Sequence, residues 1–404
     1  MSSEVSWRRA YPVLVAEAHA LGSVGVIRSL GRAGYPVHAC SQRSDALGFL
    51  SNYAHAATVC PAYHDPGFVK WLREYVERTS IRAIIPSEGF LLGLRGSLAE
   101  FAHLLPVNTR EDLLYAGLSK YNLFQSLTAG ASEGDASGNL PPTLLVRPAE
   151  GLPEARDLEA LGLPIYIKVD GCHGRGWREG AVYRMPTVTA ACHQVAELAP
   201  SFEKFLVQGH VPGQGVGVFF LRWDDVILAE FMHRRLHEVP HTGGVSSLRE
   251  SWWHQAIRDD ALAKLQHMQW RGVAMMEYRW DPNSDTFCFL EMNGRFWGSI
   301  HLALYAGVDF PTLLLDTFHA RPAMARAGFP MGLRCRYTFP REIEYVWSRL
   351  KDRDLRLAAR LFSLVEFFLV SLDPRVYSDL LFPGDRRLYL QSIARFGNSL
   401  YTHP

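Results

Sequence analysis

The stretch Phe289-Leu290-Glu291-Met292-Asn293-Gly294-Arg295-Phe296-Trp297 sets a carboxylate, an amide and a guanidinium at alternate positions. Successive side chains of a strand point to opposite faces. Glu291, Asn293 and Arg295 therefore share one face with Phe289, while Leu290, Met292 and Gly294 take the other. Such a row is either the wet side of an edge strand or a set of buried polar groups with partners, because desolvating each alone costs roughly several kcal/mol. Upstream sequence shifts the balance. Val273-Ala274-Met275-Met276-Glu277-Tyr278-Arg279-Trp280 reads as a second strand, and Asp281-Pro282-Asn283-Ser284-Asp285 as the turn between the two. That hairpin brings Glu277 beside Glu291. Neighbouring carboxylates repel unless a cation lies between them, and Glu277, Glu291 and Asn293 offer only hard oxygen donors. Mg²⁺ or Mn²⁺ is thus favoured over zinc.

Four further segments stand apart along the chain. Pro164–Val169 reads as a strand holding Lys168, and Asp170-Gly171-Cys172-His173-Gly174-Arg175-Gly176-Trp177 follows it. Gly171, Gly174 and Gly176 let backbone N–H groups approach phosphate, and Lys168 adds a point charge. The spacing is neither a Walker loop nor a Rossmann fingerprint. Phe205-Leu206-Val207-Gln208-Gly209-His210-Val211-Pro212-Gly213 is an apolar strand running into a turn, and Ser119-Lys120-Tyr121-Asn122 opens a helix. Residues 231–247 follow a strand with a charged run that includes Arg234 and Arg235, and close on Gly243-Gly244-Val245-Ser246, a backbone nest for an anion.

In this order the segments resemble the ATP-grasp superfamily, in its carbamoyl-phosphate-synthase-like, carboxylate–amine ligase branch. Glu277, followed fourteen positions later by Glu-Met-Asn-Gly-Arg, resembles the metal-binding core, usually Glu-x-Asn-Pro-Arg; Gly294 stands where proline is usual. The resemblance implies that Glu277, Glu291 and Asn293 hold two Mg²⁺ (or Mn²⁺) ions bridging ATP phosphates. It implies Lys120, Lys168 and Arg234 on those phosphates, with the Gly171, Gly174 and Gly176 loop closing over them. Gln208, Gly209, His210 and Val211 would read the adenine, with Gln208 where many members have glutamate. Gln214 stands near the place of an absent ribose-binding acid. Arg295 would stabilise the developing oxyanion, and Arg235, Gly243, Gly244 and Ser246 would border the acid being activated.

The activity so implied is an ATP-dependent carboxylate–amine ligase. It forms an amide through an acyl phosphate and releases ADP and phosphate; its substrates are a small carboxylic acid and an amine. Two alternatives stay open: bicarbonate as the activated acid, or a nucleotide-binding module without turnover.

Composition agrees. The chain has 404 residues, 48% hydrophobic and 21% charged, enough for two or three domains with a large core. A formal net charge of +1 argues against general nucleic-acid binding. Six cysteines without Cys-x-x-Cys spacing read as reduced thiols of a cytoplasmic protein, and Cys172 as an exposed one. No apolar run reaches the roughly 18–20 residues of a membrane span.

Residues 1–115 are expected to form a Rossmann-like α/β domain. Its strands lie at Tyr11–Glu17, Tyr35–Cys40 and Ile81–Pro86, its helices at Ser23–Ala33 and Pro66–Thr79. His19 and Glu88 fall just past strand ends, where open parallel sheets bind ligands, and are candidate substrate residues. Residues 116–210 would form the lid subdomain with a helical lead-in, 211–330 the metal-bearing α+β half of the grasp, and 331–404 a helical extension. The Gly-, Ala- and Ser-rich residues 128–140 read as an exposed loop. Leu355–Leu372 reads as a helix packed on the core or in a homodimer interface, with a membrane-surface helix as the other reading.

Overall fold

The structure, a computed structural model, describes residues 7–108, 110–129, 138–321 and 328–402; most of the loop expected at 128–140 lies outside them. The first sheet is parallel, with β1 (Val13–Val15), β2 (Val37–Ser41), β3 (Ala56–Val59) and β4 (Ala83–Ile85) in the order β3-β2-β1-β4. Helix α1 (Leu21–Ala33) follows β1, α2 (Phe68–Thr79) follows β3, and the short α3 (Glu88–Gly93) follows β4. The sequence reading has three strands here and misses β3. Ala56-Ala57-Thr58-Val59 is a half-exposed edge strand with too little apolar side chain to show a period. The buried strands β1, β2 and β4 are short apolar runs, as parallel sheets require. Strand order reverses between β1 and β4, so the crevice at their carboxyl ends is a topological switch point.

Helix α4 (Lys120–Ala129) leads into an antiparallel sheet of β5 (Thr143–Val146), β6 (Ile165–Val169), β7 (Ala181–Met185) and β8 (Phe205–Gln208), ordered β5-β8-β6-β7. The third sheet has seven strands in the order β13-β12-β9-β10-β11-β14-β15. They are β9 (Gln214–Trp223), β10 (Val226–Val239), β11 (Val245–Ser251), β12 (Gly272–Trp280), β13 (Phe287–Asn293), β14 (Arg334–Arg336) and β15 (Val376–Ser378). One face packs Val216, Val218, Phe220, Met232 and Met276 with Ile257, Ala261 and Leu265 of α5 (Gln255–His267). The other packs Phe219, Leu221, Phe231 and Met275 against Trp297, Phe310 and the N-terminal sheet's core. Burial on both faces makes the middle of this sheet a rigid floor, with the site at the end nearest β4.

The C-terminal region departs from the purely helical expectation. β14 and β15 extend the grasp sheet, each three residues long and so below the length at which periodicity shows. Helices α6 (Ile343–Lys351) and α7 (Leu357–Leu372) pack on each other. On α7 only Ser363 is fully buried, and Leu357, Phe362, Phe368 and Leu372 are all more than half exposed. Among the described residues no helix is long and apolar enough to cross a membrane.

Candidate active site

The hairpin of β12 and β13 pairs Glu277 directly with Glu291 and Met275 with Asn293, so the three oxygen-bearing side chains share a face. Asn293 Nδ2 donates to Glu277 Oε1 at 3.1 Å and to Glu291 Oε1 at 3.2 Å. The alternation is broken one step earlier. A β-bulge between Glu277 and Tyr278 lets Phe289 pair with Tyr278 and turn to the opposite face, where it stacks on Phe124. The sequence reading of Phe289 on the polar face is thereby corrected. Leu290, left over at the bulge, offers its carbonyl to Lys168 Nζ at 3.4 Å.

Cations close on the two carboxylates. Lys120 Nζ lies 3.2 Å from Glu291, and Arg235 Nη2 is paired with Glu277. Burial pushes the Glu291 carboxyl up, but Lys120 and Lys168 outweigh it and hold that group well below the usual carboxylate range. Lys120 is held above its ordinary value, chiefly by Glu291. Lys168 is lowered by burial, which Glu291 only partly offsets. Asp170 holds the start of the helix that carries Lys120. It follows the strand of Lys168, and its Oδ2 accepts Lys120 N at 3.0 Å and Ser119 Oγ at 3.3 Å. This positioning role was not read from the sequence, where Asp170 looked like the first residue of a loop.

Arg235 reaches Glu277 across an intervening strand. β10 pairs with β9 and β9 with β12, and the residues beneath the crossing are Gly215 and Gly217. A Cβ on Gly215 would stand 2.7 Å from Arg235 Cδ, so any side chain there would block the reach. Arg234, one residue earlier, points to the other face. Its guanidinium binds Glu250 Oε2 at 2.7 Å, and Arg334 binds the second oxygen at 2.8 Å. The phosphate role expected of Arg234 is therefore corrected: the strand's period of two turns it away from the cluster. Arg295 stays on the site side, donating to the Phe296 carbonyl at 3.1 Å and to Asn293 Oδ1 at 3.5 Å. Gly294 does not loosen the strand end as the missing proline suggested. The buried Trp270 ring lies where its Cβ would be.

A cavity of about 690 Å³ opens in front of Lys120, Glu291, Asn293 and Arg295. Its far wall is the carboxyl edge of the parallel sheet, including His19 and Glu88, and the segment Trp177–Val182 covers it. His19 Nδ1 contacts Ser41 Oγ at 3.0 Å. Burial raises the Glu88 carboxyl, opposed by Lys120 and Arg295. Gly171, Gly174 and Gly176 do not line the cavity; Gly171 and Gly174 let the loop fold closely against Arg178, and Gly176 adopts a positive φ of 75°. Cys172 is buried rather than exposed, its Sγ 3.9 Å from the Tyr115 carbonyl.

Gln208 ends β8 and is buried. Its Nε2 donates to Thr143 Oγ1 at 3.0 Å, and its Oε1 has no partner. Gly209 N donates to the Pro142 carbonyl at 2.9 Å, His210 stacks on Tyr166 at 6.0 Å, and Val211 leads into the turn before β9. Gln214 spends its amide N–H on the Arg235 carbonyl at 2.6 Å. Gly243, Gly244 and Ser246 are not brought to the cavity. Gly244 turns its carbonyl to Arg235 Nη1 at 2.9 Å, and Ser246 Oγ lies 3.3 Å from the Leu248 carbonyl, so this turn is no anion nest.

Three sheets in this order match solved structures over most of the chain. N5-carboxyaminoimidazole ribonucleotide synthetase in its ADP complex superposes with a TM-score of 0.62 at 12% identity, covering 90% of this chain and 97% of that one. The fold is ATP-grasp.

The biotin carboxylase domain of Hydrogenobacter thermophilus 2-oxoglutarate carboxylase, solved with MgADP and bicarbonate, gives 0.58 at 13% identity over 80% and 73% of the two chains. L-amino acid ligase from Bacillus licheniformis gives 0.55 at 12% over 76% and 74%. No family model matches the chain, and no curated protein matches it by sequence. Among the described residues no three His, Cys, Asp or Glu gather as a metal site. The third oxygen donor of the ATP-grasp hairpin here is an amide, Asn293. Two opposed carboxylates and that amide are hard oxygen donors, a set that would suit Mg²⁺ or Mn²⁺.

Proposed function

We propose that this chain is an ATP-dependent carboxylate–amine ligase. The observation that carries the reading is an unspent positive charge beside the glutamate pair. Among the described residues Lys168 donates to one carbonyl and Arg295 to a carbonyl and the Asn293 amide oxygen, and neither forms an ion pair. Such a surplus suits a polyphosphate.

Glu277, Glu291 and Asn293 would hold Mg²⁺, two ions by family resemblance, which when bound neutralises phosphate oxygens. Lys120 and Lys168 hold the phosphates of ATP. Gln208 offers a buried, partnerless oxygen to the adenine amino group, with Gly209, His210 and Val211 beside it. A carboxylate oxygen of the acid attacks the γ-phosphorus, the bond to the β-phosphate oxygen breaks, and ADP leaves. The amine, as its free base, then attacks the acyl carbon, the carbon–oxygen bond to phosphate breaks with its electron pair leaving on phosphate, the nitrogen's extra proton passes to the departing phosphate, and an amide remains. Arg295 stabilises the oxygen that gains charge in that second step, a role in which one such donor is worth about 10²–10³ in rate. The cavity of about 690 Å³ has room for an acid and an amine together. Such an enzyme would work in the cytoplasm, where its ATP is made.

Release of ADP and phosphate, assayed with a panel of acids and amines, tests the reading. No heat on titration with magnesium nucleotide would overturn it. Incorporation of labelled bicarbonate would replace it with the carboxylating alternative. We also propose the exposed apolar face of α7 as the seat of the expected homodimer; a monomer in sedimentation at high concentration would remove that part.

A further inference from the structure

We infer that the wall of the cavity formed by Glu17, Tyr63, Ser87 and Glu88 is a subsite for a primary ammonium, and that the amine substrate is bound there as its cation. This deepens the ligase reading and rests on it. Glu17 follows β1 and Glu88 follows β4, so the two carboxylates flank the topological switch point of the parallel sheet, where such sheets bind ligands. Glu17 holds a left-handed backbone with φ 51°, a strain that non-glycine residues carry chiefly where function requires it. Its Oε1 accepts one hydrogen bond, from Ser87 Oγ at 2.7 Å. Among the described residues neither Glu17 nor Glu88 has an ion-pair partner.

A second observation points to a ligand. Tyr63 is 4% exposed and lines the same cavity, and among the described residues its hydroxyl makes no hydrogen bond of full geometry, with Ser87, already turned to Glu17, beside it. A buried phenol left so costs about 1–3 kcal/mol unless something bound there accepts or donates. The position between these groups is kept open by Gly89, whose Cβ would stand 3.1 Å from the Tyr63 ring and 3.5 Å from Glu17 Oε1. The other acidic liners are already engaged. Asp170 accepts from Ser119, Lys120 and Cys172, Glu291 pairs with Lys120, and Glu179 sits exposed at the mouth beside Arg178. The cavity thus carries both signs, with Glu17 and Glu88 on the parallel-sheet wall and Lys120 and Arg295 near enough to Glu88 to act on its charge, which fits an acid and an ammonium held side by side.

Hydroxylamine is neutral at pH 7 and needs no ammonium subsite. The test compares it with a panel of primary amines as nucleophile, with ATP and a panel of carboxylic acids, in wild type and in Glu17→Gln, Glu88→Gln and Tyr63→Phe. Wild type is expected to form a hydroxamate with at least one acid. In each glutamate variant the ratio of amide to hydroxamate formation should fall at least tenfold, through KM for the amine. Tyr63→Phe, which removes only the hydroxyl, should lower the ratio about threefold and guards against misfolding of the others. An unchanged ratio in all three variants overturns the subsite and leaves the ligase reading standing. Absence of any hydroxamate or ADP release in wild type overturns both.

Discussion

Two of the clusters that pair arginine or lysine with carboxylates differ in what they face, buried side chains in one and a cavity in the other. In the first, Arg28 binds Asp385 and the carbonyls of Asp379 and Leu380, and Arg249 grips Asp379 with two nitrogens. Ser51 and the Asn52 amide complete Asp385 at 2.8 and 2.9 Å, and all four charged side chains are at most 1% exposed. Each carboxylate there has its cation, and the segment around β15 is fastened to the N-terminal domain and the grasp sheet. In the second, Lys120 pairs with Glu291 and Arg235 with Glu277, Lys120, Glu291 and Arg295 line a cavity, and among the described residues neither Lys168 nor Arg295 forms an ion pair. Matched charge fastens domains; surplus charge beside a cavity is kept for a ligand.

Removing one partner from each cluster sharpens the contrast. Glu291→Ala should reduce ADP release by about a thousandfold or more, since ion binding and the placement of Lys120 go together, while circular dichroism stays native. More than a tenth of wild-type turnover in that variant would end the metal role. Asp379→Ala leaves Arg249 buried and unpaired, so it should lower stability by about 3–5 kcal/mol in urea titration. ADP release per folded molecule should stay within about twofold. If that variant instead lost turnover at full stability, the division between the clusters would fail. Adjacent arginines give the next comparison. Arg235→Gln should cost about a hundredfold in kcat. Arg234→Gln should change it by less than about threefold, because Arg234 serves only Glu250 on the other face.

The sequence carried the hairpin, the two lysines and the parallel sheet because each rests on local pattern: period-two alternation, a lysine ending a strand, apolar runs between helices. It did not carry what depends on pairing between distant segments. The bulge that turns Phe289 over arises from register with Tyr278. The clearance under Arg235 needs Gly217 to lie across from Glu277 and Gly215 beside Arg235, a placement fixed only by the pairing of β9 with β10 and β12. Trp270 fills the space left by Gly294, a contact across more than twenty residues. Arg234 and Arg235 were assigned by motif order, and a strand's parity could be fixed only once its partners were known. Tyr63, Glu17 and Asp170 gave no signal because their roles come from strand order.

An effect on stability alone is expected from how the C-terminal helices hold β10, the strand of Arg235. His237 stacks on Tyr345 at 3.9 Å and lies between Glu342 at 3.2 Å and Glu366 at 3.4 Å, with Arg349 on the far side of Tyr345. Burial alone would lower its pKa, but the bonds to both glutamates raise it to about 9. Below the unfolded value near 6.5 the imidazole is protonated in both states, and the clamp contributes fully. As pH rises toward 9 the unfolded chain loses that proton while the folded chain keeps it, so stability declines, by up to about 3 kcal/mol in all. Urea midpoints measured from pH 6 to 9.5 should fall in wild type, and His237→Asn should remove that part of the slope. Equal slopes in the two proteins would mean that His237 is held neutral, and that α6 and α7 rest on β10 by packing alone.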